Sequence, residues 1–389
     1  MSTAGLGYAE ASEMTEATER IHQLGTHRKL VRQREKLALD TTLTLDAVIV
    51  PASRPAENLE QAIILARALR CALVILCSHK VKPADVHALL AGCSFSDAIV
   101  VHLPDNYQHE LLDFPALATI KDDLPTACSW YVTDLSTKRN VGLLLARMLG
   151  WRRIFFLDDD IRNIDPLDVK STVSMLGAYS AAGMRVSSFP DNSAVCHAHR
   201  QTGGFQDVFI TGAALAVDCR QNTGFFPDIY NEDWLFFFDD ASSGRLGASG
   251  HEVTQLSYNP FADERRAAWQ EFGDVLAEGL YTLLHHGMDV GNARDGYWLE
   301  FLDARRRFLE AIVDRADLAP AYIKEQMLLS VEKALRCSAV IGPGLLERYT
   351  LLWRQDLRNW QERMAEVRER PSPDAALEEL GLSRSAYRD

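Results

Sequence analysis

STKRNVGLLLARMLGWRRIFFLDDDI, residues 136–161, is the stretch on which the fold turns. Val141 to Gly150 carries apolar residues at helical spacing and stops at a glycine, which predicts a helix closed by Gly150. Ile154 to Leu157 is a short apolar run that ends abruptly in Asp158, Asp159 and Asp160, which predicts a buried strand with acids at its open end. In parallel α/β sheets that end is where ligands bind.

Outward from this stretch the same alternation continues. DAVIVPASRP, from Asp46, reads as a buried strand stopped by Pro51 and Pro55; ENLEQAIILARALR reads as a helix; CALVILCS and DAIVVHL read as second and third strands. Strand-helix-strand units with near-continuous apolar strands imply parallel pairing, right-handed crossovers and a doubly wound α/β sheet. Loop chemistry should therefore collect after Val50, Leu76 and Leu157.

Both ends of the chain differ from this pattern. Residues 10–39 are charged and rich in helix formers, with a thin apolar stripe of Ile21, Leu24, Leu30 and Val31, which predicts a helical arm over 1–44. From about Pro260 four long stretches with helical periodicity follow, beginning at Glu264, Tyr297, Lys324 and Leu345. The expected organisation is an arm (1–44), an α/β domain (45–260) and a helical region (261–389), with a loosely ordered tail near Pro371 to Pro373. The helical regions could shape an acceptor pocket or a homodimer interface, and apolar periodicity does not choose between them.

Composition excludes several classes. The 389 residues hold 41 basic and 54 acidic side chains, a formal net charge of -13, which argues against nucleic acid and against an acidic lipid surface as partners. No apolar run approaches the roughly 20 residues of a transmembrane helix, and the first 25 residues lack the pattern of a secretory signal. Seven scattered cysteines without a C-x-x-C pair read as reduced thiols in a cytoplasmic protein.

Three adjacent carboxylates repel one another, so a cation or a set of donors is expected to neutralise them. Side chains alternate along a strand end, so Asp158 and Asp160 can face one way as a D-x-D clamp for Mn²⁺ or Mg²⁺ on a diphosphate. The plainer alternative is that Asp160 caps a following helix and its neighbours are solvated.

Lys138-Arg139-Asn140, then a helix, a strand and D-x-D, resemble the donor-site core of GT-A fold nucleotide-sugar glycosyltransferases of the family 2 type. DAVIVPASRP is similar to that family's first-strand loop, and GFQDVFITGAALAVD and FPDIYNEDWLF resemble its later elements. The resemblance spans roughly residues 46–260 and leaves the subfamily unassigned. It implies a GT-A sheet, metal-dependent transfer of a sugar from a nucleoside-diphosphate sugar to an acceptor hydroxyl, and a site drawn from particular residues.

On that resemblance Pro51, Ser53 and Arg54 border the nucleotide, while Ser78 stands where relatives carry an acid for the base. Lys138, Arg139 and Asn140 at a helix start would meet the diphosphate, with Asp158 and Asp159 beside it. Thr211 and Gly212 line the acceptor side, Gly212 letting substrate approach the backbone. Asp233, or Glu232 as second choice, would take the acceptor proton if the reaction inverts configuration, and Trp234 would stack on a sugar. His251 would join Asp158 and Asp160 on the metal; Tyr258 occupies another position where such a histidine falls, and His285 and His286 lie further on, in a helical pattern that reads as structural.

Each residue also has a plainer reading. Arg54, Lys138 and Arg139 are then surface cations, Gly212 a turn, and Trp234 core, while Asn231 caps a helix whose first turn favours Glu232 and Asp233. Rival activities are a dehalogenase-type phosphotransferase, whose Gly-Thr after D-x-D is replaced here by Ile161-Arg162, and a nucleotidyltransferase, whose glycine-rich loop is missing. A silent nucleotide-sugar-binding module is the non-enzymatic alternative.

Overall fold

Strands Ala47–Ala52, Ala72–Cys77 and Arg153–Leu157 are almost wholly buried, and their side chains divide by parity. Ala47, Ile49, Val74, Leu76, Ile154 and Phe156 join one apolar core, whereas Val48, Val50, Leu73, Ile75, Phe155 and Leu157 join another. A strand has two faces with a period of two, so a run apolar at every position must be covered on both sides. Helices supply both covers.

The computed structural model describes residues 21–33, 42–124, 128, 133–187, 189, 192–207 and 209–385. In chain order its strands are β1 (Arg32–Gln33), β2 (Ala47–Ala52), β3 (Ala72–Cys77), β4 (Ala98–His102), β5 (Arg153–Leu157), β6 (Ile161–Arg162), β7 (Ala181–Val186), β8 (Ala214–Asp218) and β9 (Leu246–Gln255). The helices of the sheet region are α1 (Glu60–Leu69), α2 (Pro83–Gly92), α3 (Pro115–Ala118), α4 (Leu135–Met148), α5 (Pro166–Ser174), α6 (Ala194–Gln201), α7 (Glu232–Phe236) and α8 (Phe238–Ser242). After them come α9 (Arg265–His285), α10 (Asp295–Asp314), α11 (Ala321–Ser338), α12 (Pro343–Glu366) and α13 (Pro373–Glu379).

The sheet runs β1-β9-β7-β8-β5-β2-β3-β4, with β6 on β9. β5-β2-β3-β4 is parallel, as the alternation of strands and helices predicts, while β8 is antiparallel to both β5 and β7. The sheet is therefore mixed. Pro51 does not stop β2, which pairs with β3 through Ala52; the β5 pairing has already ended at Ile49, where a missing N–H is tolerated. α1, α2 and α5 cover one face, and α4 covers the other together with α9 and α12.

α9 is apolar on most sides and shares its core with Phe225, Phe226 and Trp234. Its three buried acids each have a nitrogen partner: Arg305 lies 2.7 Å from Glu271 and 3.0 Å from Asp274, and His27 lies 2.9 Å from Glu278.

Three expectations are corrected. The described part of the arm, residues 21–33, forms a 3-10 turn at Arg28–Leu30 and strand β1 rather than a helix, because His27 and Val31 are buried against the fold; residues 1–20 and 34–41 of the arm lie outside the described residues. Residues 371–385 are ordered: Ser372 caps α13, Leu377 and Leu380 are buried, and Arg384 bridges to Val101. Cys128 and Cys337, 209 residues apart, form a disulfide, while five described cysteines are free. That pair withdraws the thiol argument for the cytoplasm. No helix among the described residues is long and apolar enough to cross a membrane.

Candidate functional site

The carboxyl ends of β2 and β3 are tied together by one ammonium group. Lys138, with a fully buried side chain, donates from Nζ to Ala52 O (2.7 Å), Ser53 Oγ (2.8 Å) and Ser78 Oγ (2.6 Å), and pairs with Asp134 at 3.2 Å. Burial lowers its pKa, and Asp134 opposes the shift. α4 begins at Leu135, six residues before the predicted Val141, and Lys138 N already bonds to Asp134 O. Lys138, Arg139 and Asn140 are thus inside the helix rather than at its start. The i, i+4 pairing explains the early start: Asp134 and Lys138 share one face.

Each acid of the triplet is partnered, Asp159 and Asp160 sharing Arg54. Both Asp158 oxygens accept from Arg139 Nη2, at 2.9 and 3.0 Å. Asp159 Oδ2 accepts from Ser53 N (2.7 Å) and Arg54 N (2.8 Å), and Oδ1 accepts from Arg54 Nη1. Asp160 Oδ2 accepts from Gln255 Nε2 (3.0 Å) and lies 2.7 Å from Arg54 Nη2. Burial pushes Asp160 up to about 6, against the pull of Arg54. Burial would lower Arg54, but Asp160 and then Asp159 raise it. Asp160 caps no helix; its carbonyl accepts from Leu256 N beside the β6-β9 pairing.

Arg139 links this edge to the Glu-Asp element. Its Nη1 donates to Glu232 while Nη2 holds Asp158, its guanidinium lies 5.4 Å from the Phe226 ring centroid, and it is buried. Asp158, then Glu232, raise its pKa over the opposing effect of burial. Burial pushes Glu232 up to about 8 and also raises Asp233, both against the charge of Arg139. Asp233 accepts from Gly212 N (2.6 Å) and Trp234 N (2.9 Å).

Other expected residues stand elsewhere. Asn140 is spent on the backbone of Phe226, donating to its O at 2.8 Å and accepting from its N at 2.9 Å. Gly212 makes room for Arg139, whose Nη1 would lie 2.6 Å from a Cβ there, rather than for substrate. Thr211 is buried and accepts from Ala213 N. Trp234 is core, with ring centroids 4.7 Å from Tyr281, 5.0 Å from Phe209 and 5.6 Å from His27. Asn231 stands at the start of α7 with left-handed φ and no side-chain cap bond; it reaches Asp274 at 2.9 Å instead. His251 is not brought to the triplet: its ring nitrogens face Asp168 and Ser171 of α5, each at 2.9 Å.

Gln255, Arg162 and Phe226 enter the site without having been foreseen. Arg162 donates to Asp159 O and to Asn58, and Gln255 lies 95 residues from its partner. Only the sheet, by pairing β6 with β9, brings Gln255 to Asp160.

The carboxylates do not fit a divalent ion as arranged. Both oxygens of Asp158, both of Asp159 and Oδ2 of Asp160 already accept from guanidinium, amide or side-chain N–H groups. Among the described residues no group of three or more His, Cys, Asp or Glu is placed to hold a metal.

No protein-family model matches the chain, and no curated protein matches it in sequence. Among solved structures it is similar to a mannosyltransferase from Pyrobaculum calidifontis in complex with GDP-Man and Mn²⁺, at 13% identity over 88% of this chain and 90% of that one, with a TM-score of 0.40. A likeness that distant assigns no activity to this chain.

Proposed function

We propose that the chain is a glycosyltransferase that moves a sugar from a nucleoside-diphosphate sugar to an acceptor hydroxyl. One observation carries the reading: Arg139 holds Asp158 with Nη2 and Glu232 with Nη1, so a single guanidinium joins the ligand-binding edge of the parallel strands to the Glu232-Asp233 pair. An inverting two-substrate transfer needs such an arrangement, an anion site at the strand ends and a base beside it.

In the proposed reaction Asp233 takes the acceptor proton as the acceptor oxygen bonds to the anomeric carbon. The bond from that carbon to the diphosphate breaks, and its electron pair leaves on the phosphate oxygen. Arg54, whose side chain is 45% exposed, meets that charge. Glu232 stays on Arg139 and keeps Asp158 in place. Residues 45–260 carry this site.

The test is transfer and donor hydrolysis with a panel of UDP-, GDP-, ADP-, CDP- and dTDP-sugars, using the full chain and Asp233→Asn. Turnover of at least one donor that Asp233→Asn removes supports the reading. A folded protein that binds a donor without turning it over points instead to the silent binding module.

A further inference from the structure

Among the described cations paired with carboxylates at the strand ends, Arg54 is the one that also reaches open solvent: its side chain is 45% exposed, against 0% for Lys138 and 3% for Arg139. Asp159 grips it twice, through the amides of Ser53 and Arg54 and through Nη1, while Nη2 lies 2.7 Å from Asp160. Backbone and head are therefore fixed before a ligand arrives, and an arginine so held loses little further freedom on binding.

A guanidinium offers five N–H donors in one plane; Asp159 takes one of them, and Asp160 lies 2.7 Å from a second nitrogen. The exposed edge is left for an anion, and planar donors suit phosphate oxygens. A divalent ion in the same place would need carboxylate oxygens that Arg54, Arg139, Gln255 and the loop amides now occupy.

We propose that Arg54 is the resident cation of the donor site: held on Asp159 and Asp160, it neutralises the acids and receives the diphosphate of a nucleoside diphosphate, so donor binding needs no divalent metal. This rests on the donor site proposed above. Asp159, the middle acid, is then the positioning residue that aims Arg54.

Calorimetric titration of UDP, GDP, ADP, CDP and dTDP into the full chain, in EDTA and in Mn²⁺, tests it with wild type, Arg54→Gln and Arg54→Lys, each checked for folding by circular dichroism. At least one nucleotide should bind wild type in EDTA, with Mn²⁺ changing the affinity less than about threefold. Arg54→Gln should weaken binding about tenfold or more and Arg54→Lys less. By paramagnetic resonance, Mn²⁺ alone should bind Arg54→Gln more tightly than wild type, because that substitution frees carboxylate oxygens.

Binding to wild type only in Mn²⁺, or unchanged binding to Arg54→Gln in EDTA, overturns the inference and leaves the donor site standing. Failure of all five nucleotides under both conditions removes the donor site, and the inference falls with it.

Discussion

A Cβ on Gly212 would lie 2.6 Å from Nη1 and 2.7 Å from Cζ of Arg139. The arginine cannot swing aside cheaply, because Asp158 and Glu232 hold its two ends in a buried position. Gly212→Ala should therefore cost about 1–3 kcal/mol of stability, the usual range for overpacking, and loosen the Asp158-Glu232 link. Gly296→Ala is the control: its Cβ meets nothing within 4 Å near the start of α10, so the change should be neutral or stabilise by about 0.4–1 kcal/mol. Urea unfolding of both variants decides it, and wild-type stability for Gly212→Ala would contradict the packing argument.

Asp233→Asn should lower kcat roughly 10²–10⁴-fold, the span ascribed to general base catalysis, with donor affinity little changed. The substitution also turns an amide N–H₂ toward the N–H of Gly212 or Trp234, both now bonded to carboxylate oxygens, which costs about 1–3 kcal/mol. Kinetics at saturating donor, beside melting curves, separate the two effects. A variant that folds and transfers at the wild-type rate would exclude Asp233 as the base.

The pH dependence follows from burial. Burial raises Asp233, so transfer should climb with pH above the ordinary carboxylate range as the base ionises; burial also pushes Glu232 up to about 8. Stability runs the other way. A carboxyl whose folded pKa is raised keeps its proton longer in the folded state, so its contribution falls as pH rises from the ordinary Glu value of about 4.3 to about 8. Glu232→Gln should flatten that decline in denaturation midpoints taken from pH 4 to 8. A steeper decline would show that Arg139, not burial, governs this carboxyl.

Arg305→Met should destabilise by about 3–5 kcal/mol near neutral pH, since it leaves Glu271 and Asp274 buried without their partner. Burial pushes Glu271 up to about 7 even with Arg305 in place. Removing the cation raises it further, so at pH 5 the carboxyl is neutral and the loss should shrink. Urea unfolding at pH 5 and 7.5 tests this, and an equal loss at both values would contradict it.

His251→Ala should leave nucleotide binding and transfer at wild-type values, because both ring nitrogens are engaged by Asp168 and Ser171 on α5. Loss of donor binding in this variant would return the residue to the donor site.

Much of the sheet was legible in the sequence because burial on both faces leaves a mark at every position. β2, β3, β4 and β5 fall within the apolar runs after Asp46, Arg70, Ser96 and Trp151. The start of α4 was not, since Lys138 and Arg139 read as cations at a helix start facing a diphosphate, whereas both are buried, Lys138 on Asp134 one turn before it and Arg139 on Asp158 and Glu232 from other elements. The Glu232-Asp233 pair was recognisable as a unit, whereas its contact with Arg139 was not. Trp234 and Asn231 were legible only as types: an indole suits a platform or a core equally, and an asparagine at a helix start caps it only if its side chain has no better partner, which Asp274 supplies.

By itself the sequence determined which segments must be strands covered on both sides, and that acids stand at the end of β5, because local apolar periodicity and chain order are properties of neighbouring residues. Tertiary structure alone decided which cation meets which acid. Arg54 and Asp159 lie 105 residues apart, Arg139 and Glu232 93, and Asp160 and Gln255 95. Whether a buried carboxylate is neutralised by an arginine or left open for another cation depends on distances of about 3 Å, and no spacing along the chain encodes those before the sheet has formed.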